Sequence, residues 1–555
     1  MSQKKQGFVF GTLILILSTV IVKVVGALYK VPLTNGIGDT AMGYFNQAYQ
    51  IYAFCFLIST TGLPVAISRM IATAQARKQK KEVDKIYRVS LLIFAVIGLA
   101  GTCLLFFGAP FISSNISKTP ELEVCIRTIS PIMFFVCIVA CIRGYFQGRQ
   151  NMIPTAASQV IEVMGNLLLG LSFGMYANRK GMPAPTVAAF ALGGVVLGIV
   201  ASSLYMTFAK WLGSRDKEAG MDDAPPRSFK EIAGELIAIA IPITISSSIL
   251  SLTGLIDSTL AVNRLSRCVD ISYFNVLPDS AVTVALYGAY ASKAVTFFNL
   301  PIHLVNPFAI SIIPAINSAS TEEEHEKVKL TMDFTFRTVS VICLPCAFGL
   351  GMLAKPIIDL LFDNHELYKN ATGDIIFSNN AAAALLAILA PAVVFSGLNC
   401  VSTAILQAYG HERKSILSTC LGVGTKALTV WFLVGLPAVG HFGLPLSTLL
   451  CYLIMFTFNL FFLYRFVGYR FRFMKIIFKP FISAAACGCS ALAAQKLLTS
   501  VTSPKIATVA AIAVAAMVYV VLLFLLRGLS KDDVLMLPKG KSLLKILTKF
   551  HLMKA

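Results

Sequence analysis

Long apolar runs separated by short polar segments dominate this 555-residue chain. A bilayer core about 30 Å thick is crossed by a helix of about twenty apolar residues, and that length divides the chain into fourteen predicted spans. They cover residues 8–30, 44–72, 87–112, 128–147, 153–177, 186–211, 232–257, 281–303 with an alternative end at 316, 331–353, 380–408, 415–436, 442–466, 476–496 and 506–527. The pattern therefore predicts an all-α, polytopic membrane protein with fourteen transmembrane helices.

The composition supports a membrane protein, and the charge distribution orients it. A chain that is 56% hydrophobic and 13% charged cannot bury its apolar residues in a soluble core. Its formal charge of +20 comes from short basic clusters between spans, which indicates membrane topology rather than nucleic-acid binding. A cytoplasmic N-terminus places about 30 Lys and Arg residues inside and about 10 outside, as the positive-inside rule expects. Both termini are then cytoplasmic, and the first apolar run is a retained helix because no small-residue cleavage motif follows it.

An internal repeat relates the two halves of the chain. Nine residues of the second span recur without gaps about 243 positions later, in the eighth span. They are Tyr44, Ala48, Phe54, Leu57, Pro64, Ala66, Ile67, Ser68 and Ala72, matched by Tyr287, Ala291, Phe297, Leu300, Pro307, Ala309, Ile310, Ser311 and Ala315. Pro131 and Gln147 of the fourth span recur as Pro391 and Gln407 in the tenth. Because paired spans share one orientation, the repeat predicts two six-helix lobes about a pseudo-twofold axis along the membrane normal, with a pathway between them.

Shifts in composition mark the predicted domain boundaries. The chain should contain an N-lobe, a polar cytoplasmic linker, a C-lobe, a pair of added spans and a basic tail, at residues 1–212, 213–230, 231–468, 469–528 and 529–555. The tail carries Lys541, Lys545 and Lys549 against a leucine face. Such a segment is expected to lie on anionic phospholipid as an amphipathic helix, with an unstructured tail as the alternative.

Two lysines in the first span are the leading candidates for a binding site. Lys23 and Lys30 are two helical turns apart and share one face, and Gly26 and Ala27 leave that face without bulk. An ammonium at membrane depth is costly unless it faces a cavity or a partner, so it indicates a functional site. The alternative is that either side chain extends to the headgroups, Lys30 in particular because it ends the span.

Further charges at membrane depth complete the candidate site. We expect the cations to bind substrate and the carboxylates to pair with them or to couple transport; these residues are Arg69, Arg264, Lys293, Lys426, Asp257 and Glu162. Glu162 could pair with a lysine structurally, or it could take up a proton or sodium. Asp257 is expected to hold Lys23 and Lys30 when no substrate is bound. Arg143 and Gln147 are candidates for a cytoplasmic gate, with an inner-loop charge and helix packing as their alternatives.

Catalytic motifs are absent from the sequence, which argues against an enzyme. Gly422 to Lys426 lacks the spacing of a phosphate-binding loop, and no nucleophile elbow or metal-binding cluster occurs. The cysteines lie mostly within apolar runs and read as small buried residues. We expect no cofactor, so energy would come from a Na⁺ or H⁺ gradient, from the membrane potential, or from consumption of the transported lipid outside.

Three segments carry a resemblance to a known family. The run from Arg143 to Glu162, RGYFQGRQNMIPTAASQVIE, resembles the fourth-to-fifth-span signature of the stage V sporulation protein B branch of the multidrug/oligosaccharidyl-lipid/polysaccharide flippase superfamily. Residues 26–35 and 62–68 resemble the same branch. Membership implies two lobes with two appended helices, and movement of a polyprenyl-pyrophosphate-linked saccharide between leaflets.

The resemblance also implies which charges matter. Lipid II flippases of the MurJ type use a cationic cavity with arginines on the first, second and eighth spans. Here the first span offers Lys23 and Lys30 and the eighth offers Lys293, while Arg69 lies nearer the cytoplasmic end of the second. Lysine binds phosphate as a point charge and lacks the planar fork of arginine.

The sequence therefore predicts a monomeric flippase in a bacterial cytoplasmic membrane, whose substrate is a lipid-linked saccharide such as a peptidoglycan precursor. A cation-coupled exporter of small molecules on the same scaffold is the first alternative. It would show a smaller cavity with an acidic and aromatic lining. A membrane-embedded glycan enzyme is the second.

Overall fold

The structure is a computed structural model that describes residues 22, 25–60, 62–213, 225–266, 280–317, 322–363, 366–369, 375–436 and 439–526. Internal contacts divide the chain into two compact units. The first comprises Met1–Arg267 and Pro278–Gly288, and the second comprises Cys268–Leu277 and Ala289–Ala555. The predicted lobe boundaries at 212 and 231 stay a prediction, since the first unit continues past the linker.

The first unit is a bundle of long helices interrupted by short π-helical turns. Its α-helices are α1 Lys30–Thr60, α2 Gly62–Ala76, α3 Lys80–Phe111, α4 Glu123–Ile129, α5 Ile132–Gly148, α6 Ile153–Gly165, α7 Leu171–Arg179, α8 Ala184–Gly213, α9 Phe229–Leu255, α10 Val262–Leu265 and the first nine residues of α11 Ser280–Ala289. One core cluster forms where α2, α3 and α5 pack together, with Met206 of α8 and Ile232 and Leu236 of α9 added to it. Apolar stripes at helical spacing account for this packing.

The second unit is also helical, with one short hairpin. Its helices are α12 Val295–Asn317, α13 Glu322–Met352, α14 Ala354–Leu361, α15 Ser378–Leu389, α16 Ala392–Ala408, α17 Glu412–Thr429, α18 Gly443–Phe462, α19 Lys479–Thr499 and α20 Pro504–Leu525. Strands β1 Glu366–Lys369 and β2 Ile375–Phe377 pair antiparallel, with Lys369 opposite Ile375. The hairpin was not predicted, because its short strands fall in a polar connection between two spans.

The number of spans differs from the count made on the sequence. Ten helices among the described residues are long and apolar enough to cross a membrane, or eleven if the bent pair α15 and α16 forms one span. The all-helical, multi-pass architecture is confirmed, and the total of fourteen stays a prediction. One boundary is corrected: residues 31–43, expected to be a loop between the first two spans, are helical and belong to α1.

The matched prolines of the repeat both interrupt helices. Pro131 separates α4 from α5, and Pro391 separates α15 from α16 with a bend of 44°. Proline lacks the amide that would continue the helix, and its ring clashes with the preceding turn. The repeat read from the sequence therefore corresponds to the same break in both halves.

The segments that follow the sixth predicted span of each half are each held by a buried carboxylate. Glu82, at the start of α3, accepts hydrogen bonds from Arg227 Nε at 2.6 Å and from the Arg227 amide at 2.9 Å. Asp333 of α13 accepts one from the Tyr469 hydroxyl at 2.6 Å and lies 3.5 Å from Arg472. Burial and the bond to Asp333 raise the pKa of Tyr469, so its hydroxyl keeps the donated proton. In each half, a carboxylate close to the start of the third predicted span anchors the segment that follows the sixth.

Candidate functional site

Lys30 reaches a partner because the chain folds back at Gly38. Its Nζ lies 3.4 Å from Oδ1 of Asn46, sixteen residues later in α1. A straight helix would separate these residues by about 24 Å, far beyond the length of a lysine side chain. Gly38 has φ of 80° and ψ of 166°, which glycine alone adopts without strain, and it divides α1 into two arms. Lys30 and Asn46 lie equally far from this kink, so the fold brings them together.

The amide of Asn46 is oriented to accept this bond. Its Nδ2 donates to the Met42 carbonyl at 2.7 Å, which turns Oδ1 toward Lys30. Asn46 is buried and Lys30 is half-buried. Asn46 is the hydrogen-bond partner of the Lys30 ammonium, and the role expected of Asp257 stays a prediction. Lys23, the other first-span candidate, lies outside the described residues.

An aromatic ladder follows Asn46 along α1. It consists of Phe45, Tyr49, Tyr52 and Phe56, with ring centroids 6.2, 5.7 and 5.9 Å apart in turn. Tyr49 is 39% exposed, whereas Phe45 and Tyr52 are buried. Tyr49 also lies near Tyr29, the neighbour of Lys30. Sequence reasoning missed this ladder, although its spacing of four, three and four residues on one helical face is a signal that could have indicated it.

Arg143 and Glu162 form an ion pair between α5 and α6. Arg143 Nη2 donates to Glu162 Oε2 at 2.9 Å, and its Nε donates to Ser158 Oγ at the same distance. The Ser158 carbonyl in turn accepts from Ser202 of α8 at 3.0 Å. These four residues are the N-terminal polar network. Arg143 is therefore a helix-connecting charge and not a free inner-loop arginine, and the structural pairing considered for Glu162 is made with arginine.

The pair and the ladder lie near each other in the first unit. Tyr49 and Tyr52 both lie near Glu162, and Tyr52 also lies near Arg143. Helices α1, α5 and α6 contribute these residues. Charged groups at membrane depth face water-filled space or each other and not lipid, so the Arg143–Glu162 pair is the centre of a polar region in the first unit.

Asp257 and Arg264 lie in the two short segments that follow α9, a π-helical turn and the helix α10. Asp257 is buried within the π-helical turn Ile256–Ala261 and interacts with Tyr287 of α11. Arg264 is half-buried in the short helix α10. One turn before Asp257, the carboxamide of Gln50 packs so closely on Gly254 that a Cβ there would lie 2.5 Å from Gln50 Oε1. Single π-helical turns are frequent at functional sites, and this one belongs to the same unit as Lys30.

Lys293 has a different setting from the one expected of a substrate ligand. It is fully buried in the π-helical turn Tyr290–Ala294, and its Nζ donates to Ser378 Oγ at 2.8 Å and to Asn379 Oδ1 at 2.9 Å. Asn379 then donates to Asp359 Oδ1 at 3.0 Å. The amide thus links the lysine to a carboxylate, which stabilises the buried charge. Ser378 and Asn379 begin α15, so Lys293 lies level with the start of that helix.

The remaining candidates are spread over both units. In the first unit, Arg69 is exposed on α2 and Gln147 is half-buried on α5. In the second unit, Lys426 is buried in α17. The structure therefore brings Lys30, Arg143 and Glu162 into one region, while Lys293 and Lys426 belong to another unit.

A second polar network, in the other half of the repeat, has no charged members. Asn459 of α18 donates to Asn399 Oδ1 at 2.9 Å, Thr403 Oγ1 at 3.0 Å and Ser402 Oγ at 3.2 Å, and accepts from Ser418 of α17 at 2.5 Å. These five residues are the C-terminal polar network, and it links α16, α17 and α18.

Two of the segments that carry the family resemblance pack directly on each other. Gly144 and Gly148 of α5 lie against the backbone of α2, where added Cβ atoms would come within 2.9 Å of the Pro64 carbonyl oxygen and 2.8 Å of that of Ser68. Small residues four apart let two helices approach this closely. The same α5 carries Arg143, so this contact fixes the position of the ion pair relative to α2.

Comparison with known proteins identifies the family and the fold. The family model described as polysaccharide biosynthesis protein matches residues 8–320. The chain is 24% identical to stage V sporulation protein B of Bacillus subtilis (strain 168) over 537 residues, covering 96% of this chain and 98% of that protein. It is 25% identical to the lipid II flippase MurJ of the same organism over 479 residues, covering 83% of each.

Solved structures share the fold at low identity. A lipid II flippase MurJ in an inward closed conformation superposes with a TM-score of 0.66 at 15% identity, over 93% of this chain and 99% of that one. An inward-facing multidrug resistance MATE transporter gives a TM-score of 0.61 at 16% identity, over 80% and 97%. The resemblance seen in the signature segments is confirmed, and the chain belongs to the polysaccharide biosynthesis protein family.

Proposed function

We propose that this protein is a flippase that moves a polyprenyl-pyrophosphate-linked saccharide from the inner to the outer leaflet. The observation that carries the proposal is the Lys30–Asn46 contact, a cation fixed at membrane depth in a chain of this family. A relative named lipid II flippase matches 83% of the chain. Transport is also the activity named for the structures that share the fold.

The chemistry of a pyrophosphate fits this site. A doubly charged anion in a low-dielectric space needs a cation that is already oriented, because charge-assisted hydrogen bonds are strong there. The Lys30 ammonium donates to the uncharged amide oxygen of Asn46, and a negatively charged phosphate oxygen is a stronger acceptor that can replace it. Lys23, seven residues earlier on the same face of the predicted first span, would be the second cation.

The membrane arrangement extends the proposal. The protein would lie in a bacterial cytoplasmic membrane with both termini inside and would act as a monomer. The lobes 1–212 and 231–468 would rock about the substrate, with the linker 213–230 between them and the spans in 469–528 added to the C-lobe. The basic tail 529–555, which lies outside the described residues, would bind anionic phospholipid.

Two carboxylates are candidates for energy coupling. Glu162 is engaged by Arg143, so a coupling proton or sodium ion would have to compete with that arginine. Asp257, which is buried in the π-helical turn after α9, is the second candidate for coupling to an ion gradient, and a response to the membrane potential alone is the alternative. Arg264, Arg69, Lys293 and Lys426 would contribute positive potential rather than direct contacts.

A cation-coupled exporter of small molecules is the alternative function, favoured by the matches to multidrug transporters. The two functions differ in the charge of what is bound. A site for lipophilic cations needs an acidic lining, whereas Lys30 supplies a positive one. Competition between a bare polyprenyl pyrophosphate and a cationic dye for the purified protein would distinguish them.

The test of the flippase is a leaflet-accessibility assay in vesicles containing the full-length protein. Lipid II and a polyprenyl-pyrophosphoryl disaccharide should cross faster than in protein-free vesicles. Lys30→Ala should reduce crossing at least tenfold without loss of folded protein, and Lys30→Arg should retain most of it. The matched control is Lys180→Ala, since Lys180 is an exposed lysine at the end of α7. If neither lipid crosses faster with protein present, the proposed function is wrong.

A further inference from the structure

The aromatic ladder of α1 has the features of a sugar-binding surface. One face of a pyranose ring presents C–H groups with partial positive charge, and these pack on the electron-rich face of an aromatic ring. Tyr49 offers such a face: it is 39% exposed, while its neighbours in the ladder support it from both sides. The tyrosine therefore has a fixed ring with an accessible surface, which costs little entropy to use.

A carboxylate near this ring can bind a hydroxyl. Glu162 lies near Tyr49 and contacts Arg143 through Oε2, which leaves Oε1 as an acceptor for a sugar hydroxyl. An aromatic platform with a few oriented polar groups is the usual composition of a small-ligand site.

The spacing to Lys30 matches the connection between pyrophosphate and sugar. Tyr49 follows Asn46 by three residues on the same helical face, a rise of about 4.5 Å. The Lys30 ammonium rests on Asn46, so the cation and the ring lie about one sugar ring apart along α1. In a lipid-linked saccharide the first sugar is bonded directly to the pyrophosphate.

Resting on the proposed function, we propose that Tyr49 stacks on the sugar next to the pyrophosphate, with Glu162 Oε1 as a hydroxyl partner. Tyr49 then makes the site selective for a glycosylated lipid over the bare polyprenyl pyrophosphate. Lys30 binds both, since both carry the pyrophosphate.

The test measures binding of two probes to the purified full-length protein: a polyprenyl pyrophosphate and the same lipid carrying a disaccharide. The wild type should bind the disaccharide lipid about tenfold more tightly. Tyr49→Leu should remove that preference and leave the bare lipid unchanged, whereas Tyr49→Phe should keep the preference. Tyr176→Leu is the matched control, because Tyr176 is also an exposed tyrosine, on α7. Lys30→Ala should weaken both probes equally.

A second variant keeps the test decisive if Tyr49→Leu does not fold. Tyr49→Trp retains a stacking ring and reports on it, so the disaccharide lipid but not the bare lipid should change its fluorescence. Tyr176→Trp should respond to neither. An unchanged preference in Tyr49→Leu, or an equal response of Tyr49→Trp to both probes, would overturn the sugar contact. Failure of the wild type to bind either probe would instead overturn the proposed function.

Discussion

The turn between α5 and α6 in the first half and the turn between α16 and α17 in the second have the same geometry. Gln150 and Gly410, which are 260 positions apart, have φ of 59° and 74°. Each amide donates to a glutamine carbonyl, Gln147 at 2.9 Å and Gln407 at 3.0 Å. The matched glutamines of the repeat therefore act in this turn through their backbones.

The side chains around the two turns differ in charge. At the same separation of 260, Ser158 matches Ser418, and each hydroxyl oxygen lies within hydrogen-bonding distance of the carbonyl oxygen three residues earlier. Arg143, however, matches Thr403, and Glu162 matches Gly422. The N-terminal polar network thus contains an ion pair where the C-terminal network has neutral groups and uses Asn459.

The comparison indicates that three helices can pack in this arrangement without a charged pair. Neutral hydrogen bonds hold α16, α17 and α18 together, so the ion pair in the first half has a use beyond packing. Its location beside Tyr49 and Tyr52 agrees with a role in the polar region of the first unit. Burying a pair is costly, and such pairs are weak contributors to net stability.

Breaking the pair on one side should have the largest effect. Arg143→Thr leaves the Glu162 carboxylate, which is 26% exposed, without its partner, and we expect a loss of about 3 kcal/mol. Adding Glu162→Ala should restore most of the lost unfolding free energy, because the double variant has uncharged residues at both positions, as the second half does. Equilibrium unfolding in detergent measures both. Equal losses in the single and double variants would contradict the comparison.

Removing the central amide of the neutral network should cost somewhat less. Asn459→Leu deletes the donor to Asn399, Thr403 and Ser402, and we expect a loss of about 2 kcal/mol in unfolding free energy. Ser202→Ala, which removes one bond of the N-terminal network, is the matched control with an expected loss below about 1 kcal/mol. A larger loss from Ser202→Ala would reverse our ranking of the networks.

The contact between α2 and α5, the helix that carries Arg143, should be destabilised by one added methyl group. Gly148→Ala places a Cβ 2.8 Å from the Ser68 carbonyl oxygen, and overpacking of this kind costs about 1–2 kcal/mol. The second half has Ala408 at the matching position. Ala408→Ser, a similarly small change there, should alter the thermal midpoint little. A neutral Gly148→Ala would mean that α2 and α5 can separate without cost.

The smallest expected effect is at the turn itself. Gln150 adopts a left-handed conformation that glycine adopts more easily, so Gln150→Gly should be neutral or stabilising by about 0.5 kcal/mol. The reverse exchange, Gly410→Gln, should destabilise by about 1 kcal/mol. Thermal unfolding of both variants checks the sign. Destabilisation by Gln150→Gly would show that its side chain has a role that the turn geometry does not require.

Much of the fold follows from local sequence. The apolar runs dictate membrane helices because their length matches the bilayer, and the repeat in residues such as Pro131 and Pro391 predicts breaks that both halves have. The kink at Gly38 was not predicted, since a glycine within a helical pattern does not specify whether the chain bends. The apolar pattern places residues 31–43 in a loop between the first two spans, whereas in the structure they belong to α1.

The sequence by itself determined that this is a helical, duplicated membrane protein of a flippase superfamily with cations at membrane depth. The tertiary structure alone decided the partners of those cations: Lys30 with Asn46, Arg143 with Glu162, and Lys293 with Asn379. The physical reason is that hydropathy acts on each residue's own surroundings, whereas a hydrogen bond depends on which helix face meets which. Which helix faces meet is determined by close contacts between segments far apart in the chain, such as the contact of Gly148 with α2.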